Sequence, residues 1–182
     1  VPPAMFRLLA ERPSDDQEVE TLLDLAFAPG RGALSSYQLR AGVDPVATLC
    51  RVARDEYDAL VGAIRYWPVV IERATASSLP ALLLGPVAVH ATRQGEGLGA
   101  LLIMETLDIA REKGWERVLL VGDEPYYKRF GFRRDLASGL DFPRPINFDR
   151  LLATELVPNA MAHISGNVTK WPGDDTDLSH RD

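Results

Sequence analysis

The stretch Arg93–Gly99, RQGEGLG, follows the apolar run LPALLLGPVAVH (Leu79–His90) and precedes a segment with helical periodicity. Three glycines in five residues stand where a helix should begin, and each carries an entropic cost there. Glycine removes the Cβ that would otherwise hold a ligand away from the backbone. At a helix start several N–H groups have no internal partner, and the helix dipole adds partial positive charge. Strand, tight turn, glycine loop and helix together make an anion cradle, and the expected guest is a diphosphate.

The helix behind the loop has the pattern of an anchored element. Ala100, Ile103, Leu107 and Ala110 form an apolar stripe, while Glu105, Asp108 and Glu112 form a wet face. Two common nucleotide loops do not fit. A P-loop ends in Gly-Lys-Ser/Thr, whereas Gly99 is followed by Ala100 and Leu101. A dinucleotide fingerprint needs Gly-x-Gly-x-x-Gly after the first strand of a βαβ unit. Gly95, Gly97 and Gly99 have a different spacing and follow what reads as an antiparallel hairpin.

Outward from the loop, elements alternate. AMFRLLAE (4–11) alternates like a half-buried strand, and Pro13, Ser14 and Gln17 form a capping-box pattern ahead of a helix. Val19, Leu22, Leu23 and Ala26 supply that helix's apolar face. Residues 28–46 are loop-rich, with a short helix expected at Ser35–Arg40. ATLCRVARDEYDALVGAIRYWPVVIE (47–72) predicts a hairpin with its acidic turn at Asp55–Asp58. SSLPALLLGPVAVH (77–90) is apolar on both faces, which predicts a central strand. After the helix at Gly97–Gly114, RVLLVG reads as a buried strand and PYYKRFGF as a short helix ending at Gly131. LLATELVPNAMAHIS (151–165) is expected to be the last strand, broken or bulged at Pro158. The order predicts an α/β sheet, antiparallel in its first half, with helices on both faces.

Composition narrows the function. With 182 residues, 46% of them hydrophobic, the chain can bury one core, so a single domain over 1–170 is expected, followed by an acidic tail at 171–182. The tail carries four acids and one base, half of the net charge of −6. The body has no basic stripe to follow phosphates, so no nucleic-acid partner is expected. No run of 18 apolar residues predicts a membrane span. VPPAMFRLLAERPSDD has neither the basic flank nor the apolar core of a signal peptide, and Cys50 is alone. Both point to a cytoplasmic protein without a disulfide. His90, His163 and His180 have no ligand spacing, so no metal is expected.

Gln94-Gly95-Glu96-Gly97-Leu98-Gly99 matches Q/R-x-x-G-x-G/A, and this resembles the pyrophosphate loop of the GNAT superfamily of acyl-CoA-dependent N-acetyltransferases. The flanks agree: LGPVAVHATRQGEGLGALLI is similar to that family's fourth strand, loop and third helix, and RVLLVGDEPYYKRFGF to its fifth strand and following short helix. The resemblance is specific over about Leu82–Phe132. It is to the bacterial small-molecule type and implies the GNAT fold, classed α/β (α+β). That fold has a mixed central sheet of about six to seven strands, splayed between the fourth and fifth. Gly85-Pro86 is the expected bulge behind the splay. By resemblance, Val87, Ala88 and Val89 meet the pantetheine arm of acetyl-CoA. The N–H groups from Gln94 through Gly95, Glu96, Gly97, Leu98 and Gly99 to Ala100 hold its pyrophosphate.

The resemblance also implies a reaction, transfer of an acetyl group from acetyl-CoA to a primary amine by direct attack. Transfer needs a neutral amine, an oxyanion donor and a proton for the departing thiolate. In the family's YxxxGF pattern a tyrosine donates that proton, and Tyr127 stands four residues before Gly131-Phe132. Its neighbour Tyr126 points about 100° away on a helix. The fourth strand has no carboxylate, so His90, Glu72 and Asp123 are the remaining candidates for a base, and none is assigned. Tyr37, Tyr66 and Trp67 are candidates for an acceptor pocket. Each feature has a plainer reading: a lone glycine cluster is more often a tight turn, and a tyrosine more often packs. The alternative function is a non-catalytic acyl-CoA-binding domain that keeps the fold. The expected partners are acetyl-CoA and a small amine, and a C-terminal edge strand would be compatible with a homodimer.

Overall fold

The computed structural model describes residues 5–27 and 35–173. Along the chain run β1 (Arg7–Ala10), α1 (Asp16–Ala26), α2 (Ser35–Gln38), β2 (Arg51–Arg54), β3 (Leu60–Glu72) and β4 (Leu79–Val89). They are followed by α3 (Leu98–Glu112), β5 (Arg117–Val121), α4 (Glu124–Tyr127), β6 (Leu140–Asp141), β7 (Leu151–Glu155) and β8 (Gly166–Lys170). Among the described residues the sheet has eight strands, one more than the upper end of the expected range. Its order is β1-β2-β3-β4-β5-β7, with β8 beside β3 and β6 beside β8. The first four strands are antiparallel, β4 and β5 are parallel, and β7 returns antiparallel to β5.

The extra strand corrects the reading of residues 151–165 as one strand. β7 ends at Glu155, because Pro158 has no N–H for a ladder and Asn159 and His163 take left-handed backbone conformations. Turns fill the gap, with N–H groups of Ala160 and Ala162 donating to the carbonyls of Val157 and Asn159. The chain then re-enters the sheet as β8, against Val69–Glu72 of β3.

Two layers of helix cover the sheet. On one face α3 buries Leu98, Leu102, Ile103, Leu107 and Ala110 against Ile64, Leu82, Leu84, Val118 and Leu120. Each fully buried aliphatic side chain contributes about 1.5–3 kcal/mol, against about 1 kcal/mol lost per glycine in the loop ahead of it. Packing therefore wins, and the helix start is fixed in place. Ala100 departs from the expected stripe and is only half-buried. Thr106 joins the buried face instead, its hydroxyl 2.7 Å from that of Tyr66.

On the other face α1 packs Val19, Leu22 and Leu23 against Val52, Ala63 and Ala88, while Ala26 is exposed. Asp15, rather than Ser14, stands at the N-cap position of α1, and its side chain bonds backward instead of capping the first turn. One Asp15 oxygen accepts the Arg12 N–H at 2.9 Å, and the other meets Arg54 at 2.9 Å. Arg65, nearly buried, ties the same helix to β3 through Glu20, and also holds Glu11 just after β1. Trp171 is anchored, packing edge-on against Trp115 at 6.5 Å. The rest of the acidic tail, from 174, lies outside the described residues.

Candidate functional site

The site starts from a change of parity in β4. Ile64 pairs with Val87, but Tyr66 pairs with Leu84, so Gly85 and Pro86 together face Arg65. This is the expected bulge. Before it Leu82 and Leu84 face α3; after it Val87 and Val89 do. Hydrogen bonding to β5 is confined to Leu82 and Leu83, paired with Val118 and Leu119. Beyond that point the two strands part, as the splay requires.

The register says which backbone groups the splay leaves open. The His90 N–H donates to the Val61 carbonyl at 2.8 Å, which makes 90/61 a hydrogen-bonded antiparallel pair. Alternation places the Ala88 backbone in the same ladder. The N–H and C=O of Val87 and Val89 then point away from β3, toward the gap. Ala88 separates from its neighbours in a second way, since its side chain packs under α1.

At the end of β4 the glycine loop opens. Gly95 and Gly97 have φ of +83° and +80°, values L side chains rarely adopt, and a Cβ on either would meet no protein atom within 4 Å. Gly97 is the N-cap of α3 and offers no side chain to the first turn. The first helical bond runs from the Leu101 N–H to the Gly97 carbonyl, at 3.1 Å. Among the described residues nothing accepts from the N–H groups of Leu98, Gly99 and Ala100, the first-turn positions a helix leaves without an internal partner, and all three residues line this open space. Leu98 contributes its N–H alone, because its side chain is in the core.

Arg93 clamps the loop to the β2–β3 turn through Asp55 at 3.0 Å and Glu56 at 2.8 Å. Burial works against the Asp55 carboxylate. The Ala59 N–H, the Arg93 guanidinium and the Tyr57 N–H more than offset it and hold its pKa below the ordinary 3.8. The result is a cleft of about 470 Å³, lined by Val87, Val89, Gln94, Gly95 and Gly97 through Ala100. Glu96 lies outside that lining. Arg93, Ile103 and Arg129 also line it; Ile103 reads from the sequence only as part of the apolar stripe of the helix, and no spacing signal marks the two arginines.

Across the splay lies a second cavity of about 330 Å³, walled by Tyr37, Arg40, Gly85, Pro86, Asp123 and Arg150. Val87, Tyr126 and Tyr127 line both spaces. The Tyr127 ring packs on Phe132 and lies so close under Gly122 that a Cβ there would meet it at 2.5 Å. Burial, reinforced by Tyr126 and Asp123, raises the Tyr127 pKa above 10.0, so the phenol keeps its proton. Asp123 pairs with Arg150 at 3.3 Å.

Other candidates fall elsewhere. His90 faces a different cavity beside α1, with its Nδ1 2.8 Å from the Thr92 hydroxyl. Glu72 ends β3 against Asn167, at the far end of the strand. Tyr66 is fully buried, and of the three proposed aromatics Tyr37 alone lines the second cavity.

Known proteins resemble this chain in sequence and fold. A family model described as an acetyltransferase (GNAT) domain matches residues 47–134. The Escherichia coli K12 protein described as "uncharacterized N-acetyltransferase YhbS" is 32% identical over 122 residues, 67% of this chain and 70% of its own length. The crystal structure of Escherichia coli YhbS in complex with CoA aligns with a TM-score of 0.75 at 26% identity, covering 93% of this chain and 90% of that one. A Brucella melitensis GNAT acetyltransferase, solved with acetyl-CoA, gives 0.66 at 28% identity, covering 92% and 97%. With the bulged fourth strand, the splay and the glycine-capped third helix in place, the chain belongs to the GNAT family of N-acetyltransferases.

Proposed function

We propose that this protein transfers the acetyl group of acetyl-CoA to a primary amine by direct attack. The observation that carries the reading is the sharing of Val87, Tyr126 and Tyr127 between the two cavities. A donor thioester in one and an amine in the other meet at those residues. The cradle fits a diphosphate, since two left-handed glycines leave its floor open and three residues with orphan N–H groups line it. The Escherichia coli and Brucella proteins, solved with CoA and acetyl-CoA, support the same donor.

In this reading Gln94, Gly95 and Gly97 through Ala100 hold the pyrophosphate by backbone, with Val87 and Val89 extending the sheet onto the pantetheine amides. Acetyl-CoA supplies an activated thioester carbonyl. An N–H of the splayed strand near Val89 polarises that carbonyl as the amine nitrogen bonds to its carbon. The carbon–sulfur bond breaks, Tyr127 gives its phenolic proton to the thiolate, and the surplus proton of the amine passes to solvent, from which the phenol is reprotonated. Thiol release with an amine panel tests the reaction. A protein that binds acetyl-CoA, resists displacement by ATP and yet releases no thiol beyond hydrolysis would be the non-catalytic alternative.

A further inference from the structure

Acetyl transfer requires the attacking amine to lose a proton. Among the described residues lining the two cavities, the only carboxylate is that of Asp123. The other titratable groups there are phenols and guanidiniums, side-chain types that act as proton donors at neutral pH. Asp123 follows β5 and stands at the N-cap position of α4. Its backbone is fixed on both sides. The Asp123 carbonyl accepts the N–H groups of Tyr126 and Tyr127 at 3.1 and 3.0 Å, and the Gly122 N–H donates to the Arg150 carbonyl at 2.9 Å. The Tyr127 pKa, raised first by burial, is raised further by Tyr126 and Asp123, so carboxylate and phenol feel each other across the site. Arg150 Nε approaches one carboxylate oxygen, Oδ1, at 3.3 Å. That is longer than the about 2.7–2.9 Å of a strong charged hydrogen bond. The Asp123 side chain is 73% exposed, so water reaches it.

We infer that Asp123 is the catalytic base, the group that takes the surplus proton of the attacking amine and hands it to solvent. The inference rests on the acetyl-transfer reading of the same site. The nitrogen lone pair forms the bond to the thioester carbon, the carbon–sulfur bond breaks with its electrons on sulfur, and Tyr127 protonates the sulfur. One N–H proton moves to an Asp123 oxygen, its bonding pair stays on nitrogen, and water takes the proton from the carboxyl group. The phenol recovers its own proton from solvent. A carboxylate is strong enough for this step. As the nitrogen becomes an amide its lone pair delocalises into the carbonyl, and a proton left on it is more acidic than a carboxylic acid. The other sequence candidates lack the position: His90 faces the cavity beside α1, and Glu72 ends β3 against Asn167. A base after β5 also answers the missing carboxylate on β4.

A carboxylate that only held Arg150, or acted on Tyr127 by charge alone, would leave different marks. Propylamine, phenethylamine and the common amino acids are compared as acceptors by thiol release from acetyl-CoA, and the fastest is carried forward. Asp123→Asn, close in size, should lower kcat about 10²-fold, with acetyl-CoA affinity by calorimetry within threefold. Asp123→Glu should retain more activity than Asp123→Asn. Asp123→Ala opens space for an added carboxylate, and acetate should raise its kcat at least fivefold without accelerating the parent protein. Acetate, fluoroacetate and difluoroacetate share one charge and nearly one size but fall in basicity, so rescue should fall in that order. A kcat within threefold of the parent in Asp123→Asn overturns the inference and leaves acetyl transfer standing. So does a loss that acetate does not restore, which assigns Asp123 to structure, or a rescue indifferent to basicity, which assigns it to charge. Turnover of no amine by a protein that binds acetyl-CoA overturns the transfer reading itself, and the inference falls with it.

Discussion

Tyr126 and Tyr127 meet edge to face, with ring centroids 4.9 Å apart and planes at 86°. Adjacent positions on one helical turn give them different surroundings. The Tyr126 hydroxyl sits over the first turn of α3, 3.6 Å from where a Cβ on Gly99 would be. The Tyr127 ring is wedged under Gly122 and half-buried between the two cavities.

That difference separates two variants. Tyr127→Phe keeps the ring and removes the proton, so kcat should fall about 10²-fold, in the range of a lost general acid. Acetyl-CoA affinity should hold. Tyr126→Phe should weaken acetyl-CoA binding more than it slows turnover, because its hydroxyl faces the cradle. Burial raises the Tyr127 pKa, so the phenol stays protonated up to its ordinary 10.0 and beyond. The kcat profile should therefore show no loss from Tyr127 ionisation below that pH. Steady-state kinetics and calorimetry on both variants decide; reversed effects would move the acid to Tyr126.

The cradle is tested at Gly97. In the free protein a Cβ there meets nothing, so Gly97→Ala costs only the left-handed backbone penalty, about 1–2 kcal/mol. With a diphosphate against the backbone the methyl group stands in the way, and acetyl-CoA affinity should drop at least tenfold, about 1.4 kcal/mol. Gly114→Ala is the control. It has φ of +90° and open space at the other end of α3, so it should cost similar stability with no loss of affinity. Equal affinity losses in both would trace the effect to helix strain.

The cradle and the splayed strand were legible because backbone chemistry leaves marks in sequence. Glycines at 95 and 97 take left-handed conformations, and Gly85-Pro86 cannot continue a regular ladder. The second cavity was legible only in pieces, such as Tyr37, and not as a cavity. Arg40, Asp123 and Arg150 come from three distant segments, and no periodicity joins them. β8 was hidden for a related reason: GNVTK is short and half polar, and it is held by pairing with β3 rather than by its own pattern. Ala88 looked equivalent to Val87 and Val89, and ladder alternation and its packing under α1 set it apart.

Asp15 gives a pH-dependent test of how α1 is held. The Arg12 N–H lowers its pKa first, burial opposes, and Arg54 lowers it further, for a net value below the ordinary 3.8. A carboxylate with a lowered folded pKa contributes stability above 3.8, and that contribution fades as pH falls through the folded value. Asp15→Asn should cost about 2 kcal/mol at pH 7, the scale of a lost charged hydrogen bond. The gap to the parent protein should close as pH is taken below 3.8. Urea unfolding at pH 7, 5 and 3 measures it, and a gap constant across that range would assign the loss to shape rather than charge.

Gly122 offers a way to move Tyr127 without touching its hydroxyl. A Cβ at Gly122 would lie 2.5 Å from Cε2 and 2.9 Å from Cδ2 of the ring, and 3.1 Å from a methyl group of Leu120. The ring has little room to retreat, because Phe130 and Phe132 pack on it with centroids at 6.4 and 6.1 Å. Gly122→Ala should therefore lose about 1–3 kcal/mol by overpacking and displace the phenol from the splay. A displacement of about 1 Å is enough to slow a positioned reaction substantially, so kcat should fall tenfold or more with acetyl-CoA affinity within threefold. The double variant Gly122→Ala/Tyr127→Phe separates this from a general loss of integrity. If Gly122 acts through the Tyr127 proton, the double variant should be no slower than Tyr127→Phe alone, since the group being misplaced is already gone. Multiplying losses would show that Gly122 shapes the site by a route independent of Tyr127.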